Sequence, residues 1–308
     1  MALLQLMALL NWWVDIMYKT YHKSWNYPEV NPYPKYEDMI KFVDSQLLPL
    51  GFTKEAIGTS TDGGFTLYGY KLNLDKPVYW IDSNVHGSEW WTVYYTINFL
   101  TDIWGDKHID EKSSKAIRDN YGVYYIPSLN PWGYQNKSYT QSRGVNLCRN
   151  FDNLWDIAPV KPPKDPNCKG ESPESENETK IAVAKIKEIK PAIAINCHTT
   201  LGAASGIDMY ARYSIYKLLS KDILNIGRLV AGNIGLSEWN TQFGPTANGW
   251  YATQTSKEGY PTYSTIIEQQ SNQNEFDFAY TMLFTIPLSL LNYRKNGKYN
   301  MNSISEIN

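Results

Sequence analysis

The chain has 308 residues, enough to bury a full core as one large α/β unit, with hydrophobic residues at 43% and charged residues at 19%. Lys+Arg 29 against Asp+Glu 31 leaves a net charge of -2, so no global field invites nucleic acid or an anionic membrane. Three cysteines, Cys148, Cys168 and Cys197, are too few for a disulfide framework and allow one bridge at most, which leaves the redox compartment open.

The first twenty residues, MALLQLMALLNWWVDIMYKT, are apolar but lack a basic leader and a small-residue cleavage site, and Asp15 interrupts them. They do not read as a signal peptide, so a cytoplasmic or virion-associated protein is expected, and the uncharged run is too short for a membrane span. As a helix they align Gln5, Ala8, Asn11 and Asp15 in one narrow polar stripe. The remaining surface is expected to dock on a protein partner or on another copy of the chain. Three units follow: an N-terminal helix and linker over 1–34, a main domain over 35–300 and a tail over 301–308.

Residues 36–50 read as a helix with Met39, Ile40, Phe42, Val43 and Leu47 turned inward and Gly51 as its stop. Residues 63–74 alternate like a strand, and four apolar runs of buried-strand length follow: PVYWI at 77–81, GVYYIPSL at 122–129, AIAINC at 192–197 and TYSTII at 262–267. Between them, Trp90, Val93, Tyr94, Ile97 and Leu100 repeat at helical spacing up to Gly105. Residues 174–189 are acidic in their first turn and basic later, as the helix dipole favours. Further helices are expected over 214–232 and 274–292, the last bent or broken at Pro287. Strands alternating with helices predict a three-layer α/β/α fold with a mostly parallel or mixed sheet, whose ligand crevice lies beyond the carboxyl ends of its strands.

That rule singles out His86 and Glu89 just past the PVYWI run, His198 at the end of AIAINC and Glu268 at the end of TYSTII. His22 and His108 sit in polar stretches and read as surface residues. H-x-x-E alone is a weak signal. Two imidazoles and one carboxylate at strand ends nevertheless form a standard zinc set with an open fourth position, and Mg²⁺ or Ca²⁺ would prefer oxygen ligands throughout. A second carboxylate nearby would suit proton transfer, the role expected of Glu268, against an ordinary solvated strand end.

The ordered stretches HGSE, NPWGY at 130–134, GVNLCRNFD at 144–152, GESPESENET at 170–179, INCHT at 195–199 and TIIEQ at 265–269 resemble the motifs of the zinc carboxypeptidase family. The resemblance covers roughly residues 35–292. It implies an α/β/α fold with a mixed sheet and hydrolysis of a peptide bond next to a terminal carboxylate. It also implies that His86, Glu89 and His198 bind one Zn²⁺, that Glu268 is the general base, and that Arg149 holds the substrate carboxylate. A guanidinium suits that task through paired hydrogen bonds, with a structural pair to Asp152 as the competing role.

The chain departs from the family pattern twice. Cys148 replaces the asparagine that shares carboxylate binding with the arginine, and a thiol is a poor donor. Tyr139 stands where an oxyanion-stabilising arginine is usual, with Arg143 or Lys137 as conceivable substitutes, and loss of such a donor costs about 2.7–4 kcal/mol in the barrier. Tyr251 is the one candidate for a substrate-capping tyrosine, and the "ANG" before Trp250 argues against a basic-selective pocket.

The leading expectation is a zinc metallopeptidase acting near a terminal carboxylate, in peptides or in a peptidoglycan stem peptide, with a phage tail as one setting. The alternatives are a zinc amidase or deacylase of small acyl amino acids, and a non-catalytic module that keeps the fold.

Overall fold

The computed structural model describes residues 35–108, 110–200, 206–209, 262–270 and 277–295, together with Ala247, Gly249, Trp250, Tyr251, Thr255 and Gly259. The helix and linker expected over 1–34, His22, the helix expected over 214–232 and the tail over 301–308 lie outside the described residues.

Among the described residues, seven strands form one mixed sheet: β1 (Thr53–Thr59), β2 (Thr66–Leu72), β3 (Val78–Ser83), β4 (Gly122–Ile126), β5 (Ile193–Thr200), β6 (Gly206–Met209) and β7 (Tyr263–Gln270), in the order β1-β2-β4-β3-β5-β7-β6. The central pairs β4·β3, β3·β5 and β5·β7 are parallel, whereas β1·β2, β2·β4 and β6·β7 are antiparallel. Every residue of β3 and β4 is buried, which is why these strands read as continuous apolar runs rather than alternating ones.

The side chains still alternate between two cores, as strand geometry demands. Tyr79, Ile81, Val123, Tyr125, Ile193, Ile195 and Ile267 face one core, covered by α1 (Tyr36–Leu47), α2 (Trp91–Trp104), α3 (Glu111–Asn120) and α6 (Asp277–Lys295). Val78, Trp80, Tyr124, Ile126 and Ala194 face the other, where α5 (Asn177–Ile189) contributes Ala182, Val183 and Ile186, beside Trp250 and Tyr251. A short helix, α4 (Pro131–Asn136), follows β4. The result is the three-layer α/β/α arrangement expected from the sequence.

Three elements differ from expectation. β1 was not foreseen because its exposure pattern has no strict period of two and its register slips between Ala56 and Gly58. α3 buries only Ser114 and Ile117, so it carries no apolar stripe to read, though Asp110 caps it by accepting from the Ser113 N–H. α6 is unbroken through Pro287. Proline removes the N–H that would reach the carbonyl four residues back, and Tyr79 replaces it by donating to the Leu283 oxygen at 3.1 Å.

Candidate active site

The HGSE loop leaves β3 through Asn84, which holds a left-handed φ of 55°. Asn84 is the loop's clamp: its amide group donates to the carbonyls of His86 (3.1 Å) and Gly87 (3.0 Å), and its oxygen accepts from Ser128 (2.7 Å). The loop then passes so close to α4 that a Cβ on Gly87 would lie 2.0 Å from the Gly133 carbonyl carbon. α4 is in turn capped by Asn130, which accepts from the Gly133 N–H at 2.9 Å and donates to the Val85 carbonyl at 3.3 Å. NPWGY is therefore a bracket for the HGSE loop.

These constraints aim His86 and Glu89 at His198, which projects from β5 on the same face as Trp80 and Ala194. The Nδ1 atoms of His86 and His198 lie 3.1 Å apart, Glu89 Oε1 is 2.9 Å from His86 Nδ1, and Glu89 Oε2 is 3.1 Å from His198 Nδ1. One ligand atom from each of the three residues lies within 4.8 Å of the other two. Ligands about 2.0–2.1 Å from a tetrahedral Zn²⁺ are roughly 3.3 Å from each other, so the cluster fits that ion with little adjustment. The outer nitrogens are occupied: His86 Nε2 lies 3.1 Å from Asn146 Oδ1, and His198 Nε2 is hydrogen-bonded to Asn196 Oδ1. Both acceptors are amide oxygens, so each ring, when neutral, carries its proton outside and turns a lone pair inward. Two lone pairs and a carboxylate converging in a buried site call for a cation.

The electrostatics agree. Burial opposes charge on each of the three groups, but the Glu89 carboxylate raises both histidines above their ordinary value, and the two imidazoles bring Glu89 down to about 2. Glu268 is the register partner of His198 across β5·β7, so both side chains rise from the same face of the sheet. Burial, with Glu89 adding to it and His198 opposing, raises the Glu268 carboxyl above its ordinary value.

Arg149 is the last residue of a 3-10 turn, Leu147–Arg149, and is half-buried. Its turn is anchored by Asn146, which accepts from the Cys148 N–H at 2.8 Å, and by the buried Asn150, which donates to Lys169 O and Ser175 Oγ, each at 2.9 Å. Gly170, with φ of 84°, makes room for this, since a Cβ there would lie 2.8 Å from Asn150 Nδ2. GVNLCRNFD and GESPESENET are thus two halves of one hydrogen-bonded platform.

Other expected site residues lie differently. The Cys148 thiol is buried behind the His198 ring, 3.7 Å from Nε2 and 3.5 Å from Asn196 Oδ1, rather than offered to a crevice. Burial raises its pKa, but His198 outweighs that and brings it to about 5. Cys148, Cys168 and Cys197 are all free. Arg143 turns away to Glu171 (3.3 Å) and Glu176 (3.6 Å), which occupies the side chain expected to substitute for the oxyanion arginine. Tyr251 has no exposed surface and donates to Asp82 Oδ2 at 3.1 Å, so its hydroxyl serves the core rather than capping a ligand. His108 is a core residue instead of a surface one, stacked 4.2 Å from Phe284. Tyr139, by contrast, stacks on the His86 ring at 3.8 Å with an exposed edge. The clamps Asn84, Asn130, Asn146 and Asn196 escaped sequence reasoning; the cue would have been buried-type polar residues inside apolar stretches.

A His-Glu-His cluster at the ends of parallel strands, with the half-buried carboxylate of Glu268 on the neighbouring strand, has the make-up of a metal centre. The zinc carboxypeptidase family profile matches residues 49–293, and the chain belongs to that family. Mast cell carboxypeptidase A of Mus musculus is 26% identical over 258 residues, covering 73% of this chain and 59% of that protein. Carboxypeptidase A2 of Mus musculus is 27% identical over 171 residues, covering 48% of this chain and 40% of that protein. The chain thus spans at most about three-fifths of the length of these relatives. Among solved structures, bovine thrombin-activatable fibrinolysis inhibitor, in complex with tick carboxypeptidase inhibitor, superposes with a TM-score of 0.67 at 17% identity over 85% of this chain and 98% of that one. Carboxypeptidase A from Helicoverpa armigera gives 0.64 at 16% identity over 92% of this chain and 78% of that one. At these identities the superpositions show the shared fold.

Proposed function

We propose that the chain is a zinc-dependent peptidase that hydrolyses the peptide bond next to a terminal carboxylate. The observation that carries this reading is the His86–Glu89–His198 cluster with Glu268 beside His198 in strand register. A zinc ion held by those three residues supplies Lewis acidity, polarising a carbonyl and acidifying water. Glu268 accepts the proton of the attacking water and returns it to the departing amine, a task suited to a carboxylate whose affinity for protons is raised by burial. Arg149 holds the substrate carboxylate. Tyr139, neutral at ordinary pH and stacked on His86, lies within electrostatic reach of Glu89, Glu268 and Arg149 and donates its phenolic proton to the developing oxyanion.

With Cys148 turned inward, Arg149 receives no help from that position in gripping a carboxylate. The substrate panel therefore includes peptidoglycan stem peptides and small acyl amino acids beside ordinary C-terminal peptides. Zinc content and turnover are measured on the wild type and on Glu268→Gln. One zinc in each, with turnover lower by about 10²–10⁴-fold in the variant, is the expected outcome. Equal turnover removes Glu268 as the base, and a zinc-loaded wild type inert on every substrate leaves a binding module.

A further inference from the structure

Asp82 is a buried carboxylate that the mechanism above does not use. It is the fifth residue of β3 and the register partner of Asn196 on β5, so both point into the same core. Three donors surround it: Asn196 Nδ2 on Oδ1, and Trp80 Nε1 (2.7 Å) and Tyr251 OH (3.1 Å) on Oδ2. A polar pair on an otherwise apolar strand face is costly unless it is satisfied, and here it is satisfied in one orientation only.

The logic of donors and acceptors then runs outward. A carboxylate accepts, so the amide of Asn196 must turn its NH₂ to Asp82 and its oxygen away. That oxygen meets His198 Nε2, which must therefore carry the ring proton. Cys148 Sγ lies 3.5 Å from the same oxygen and 3.7 Å from Nε2, where a thiol donates to the oxygen and a thiolate accepts the Nε2 proton, so neither form moves the proton to Nδ1. With Nε2 protonated, Nδ1 is left with its lone pair, and Nδ1 is the atom facing His86 and Glu89.

We infer that Asp82 and Asn196 are positioning residues that set the tautomer of His198, and through it the metal affinity of the site, from 114 residues apart in sequence. The inference rests on the metal reading of the cluster, but its first test does not. The full chain is labelled with ¹⁵N-histidine, and the His198 ring is observed in the zinc-loaded protein and, metal-free, at alkaline pH where the imidazole is neutral. Protonation of Nε2 is expected in both, and an Nδ1-protonated ring would overturn the inference whether or not zinc binds. The second test is zinc affinity by chelator competition. Asp82→Asn and Asn196→Ala are each expected to weaken binding by about 10–100-fold with one zinc still bound at saturation, while Tyr251→Phe, which leaves two of the three donors on Asp82, changes it much less. Wild-type affinity in Asp82→Asn sinks the inference while leaving the peptidase reading intact; absence of zinc from the wild type sinks that reading and leaves the tautomer result to stand alone. If either variant fails to fold, the wild-type tautomer measurement still decides.

Discussion

Tyr139 shows how one side chain alters a site without disturbing its metal ligands. Its ring lies against His86 at 3.8 Å, so a phenol occupies the position at which the family usually carries an arginine. A phenol donates one neutral hydrogen bond where a guanidinium offers a charged fork, so the proposed peptidase is expected to be slower than one carrying the arginine, with the same zinc affinity. Tyr139→Phe keeps the stack and removes the donor. It is expected to lower kcat about 100-fold with zinc content and KM unchanged; steady-state kinetics that show wild-type kcat would place the oxyanion donor elsewhere.

At the scale of elements, the HGSE loop is held by packing as much as by hydrogen bonds. Because a Cβ on Gly87 would lie 2.0 Å from the Gly133 carbonyl carbon, backbone must move to admit it. Gly87→Ala is expected to cost about 1–3 kcal/mol of stability and to weaken zinc binding as His86 and Glu89 shift. Thermal melting together with chelator competition reads both, and a variant matching the wild type in both would show that the loop is not pinned by α4. His108 ties α3 to α6: its Nδ1 accepts the Asp110 N–H at 3.0 Å and its ring stacks on Phe284. Burial lowers its pKa below the ordinary 6.5, so the unfolded chain takes up the proton more readily than the folded one. The stability from its neutral form is complete above that ordinary value and is lost as pH falls below it. The stability advantage of the wild type over His108→Phe is therefore expected to shrink between pH 8 and pH 5 in denaturant titrations, and a constant difference would contradict the buried, neutral assignment.

For the whole molecule, the site joins segments far apart in the chain: the loop after β3, the platform around Asn146, β5 and β7. An ion bound only by the folded form stabilises all of them together. At a thousandfold excess of zinc over its Kd the linkage is about 4 kcal/mol, so a chelator is expected to lower Tm by on the order of 5–10 °C, reversibly. A chelator-insensitive Tm in a protein that contains zinc would mean that the unfolded chain binds the ion comparably.

The sequence alone determined the parallel core, because strands buried on both faces need uninterrupted apolar runs, and it singled out His86, Glu89, His198 and Glu268, because ligand crevices of such sheets lie where those runs end. Tertiary structure decided what strand ends cannot reveal. Asp82 meets Asn196 through the register of β3 on β5, Arg143 is drawn to Glu176, Tyr251 turns into the core, and His108 is covered by α6. Each depends on a partner brought near only by folding, and hydrogen bonds and ion pairs act over a few ångströms of space rather than along the chain.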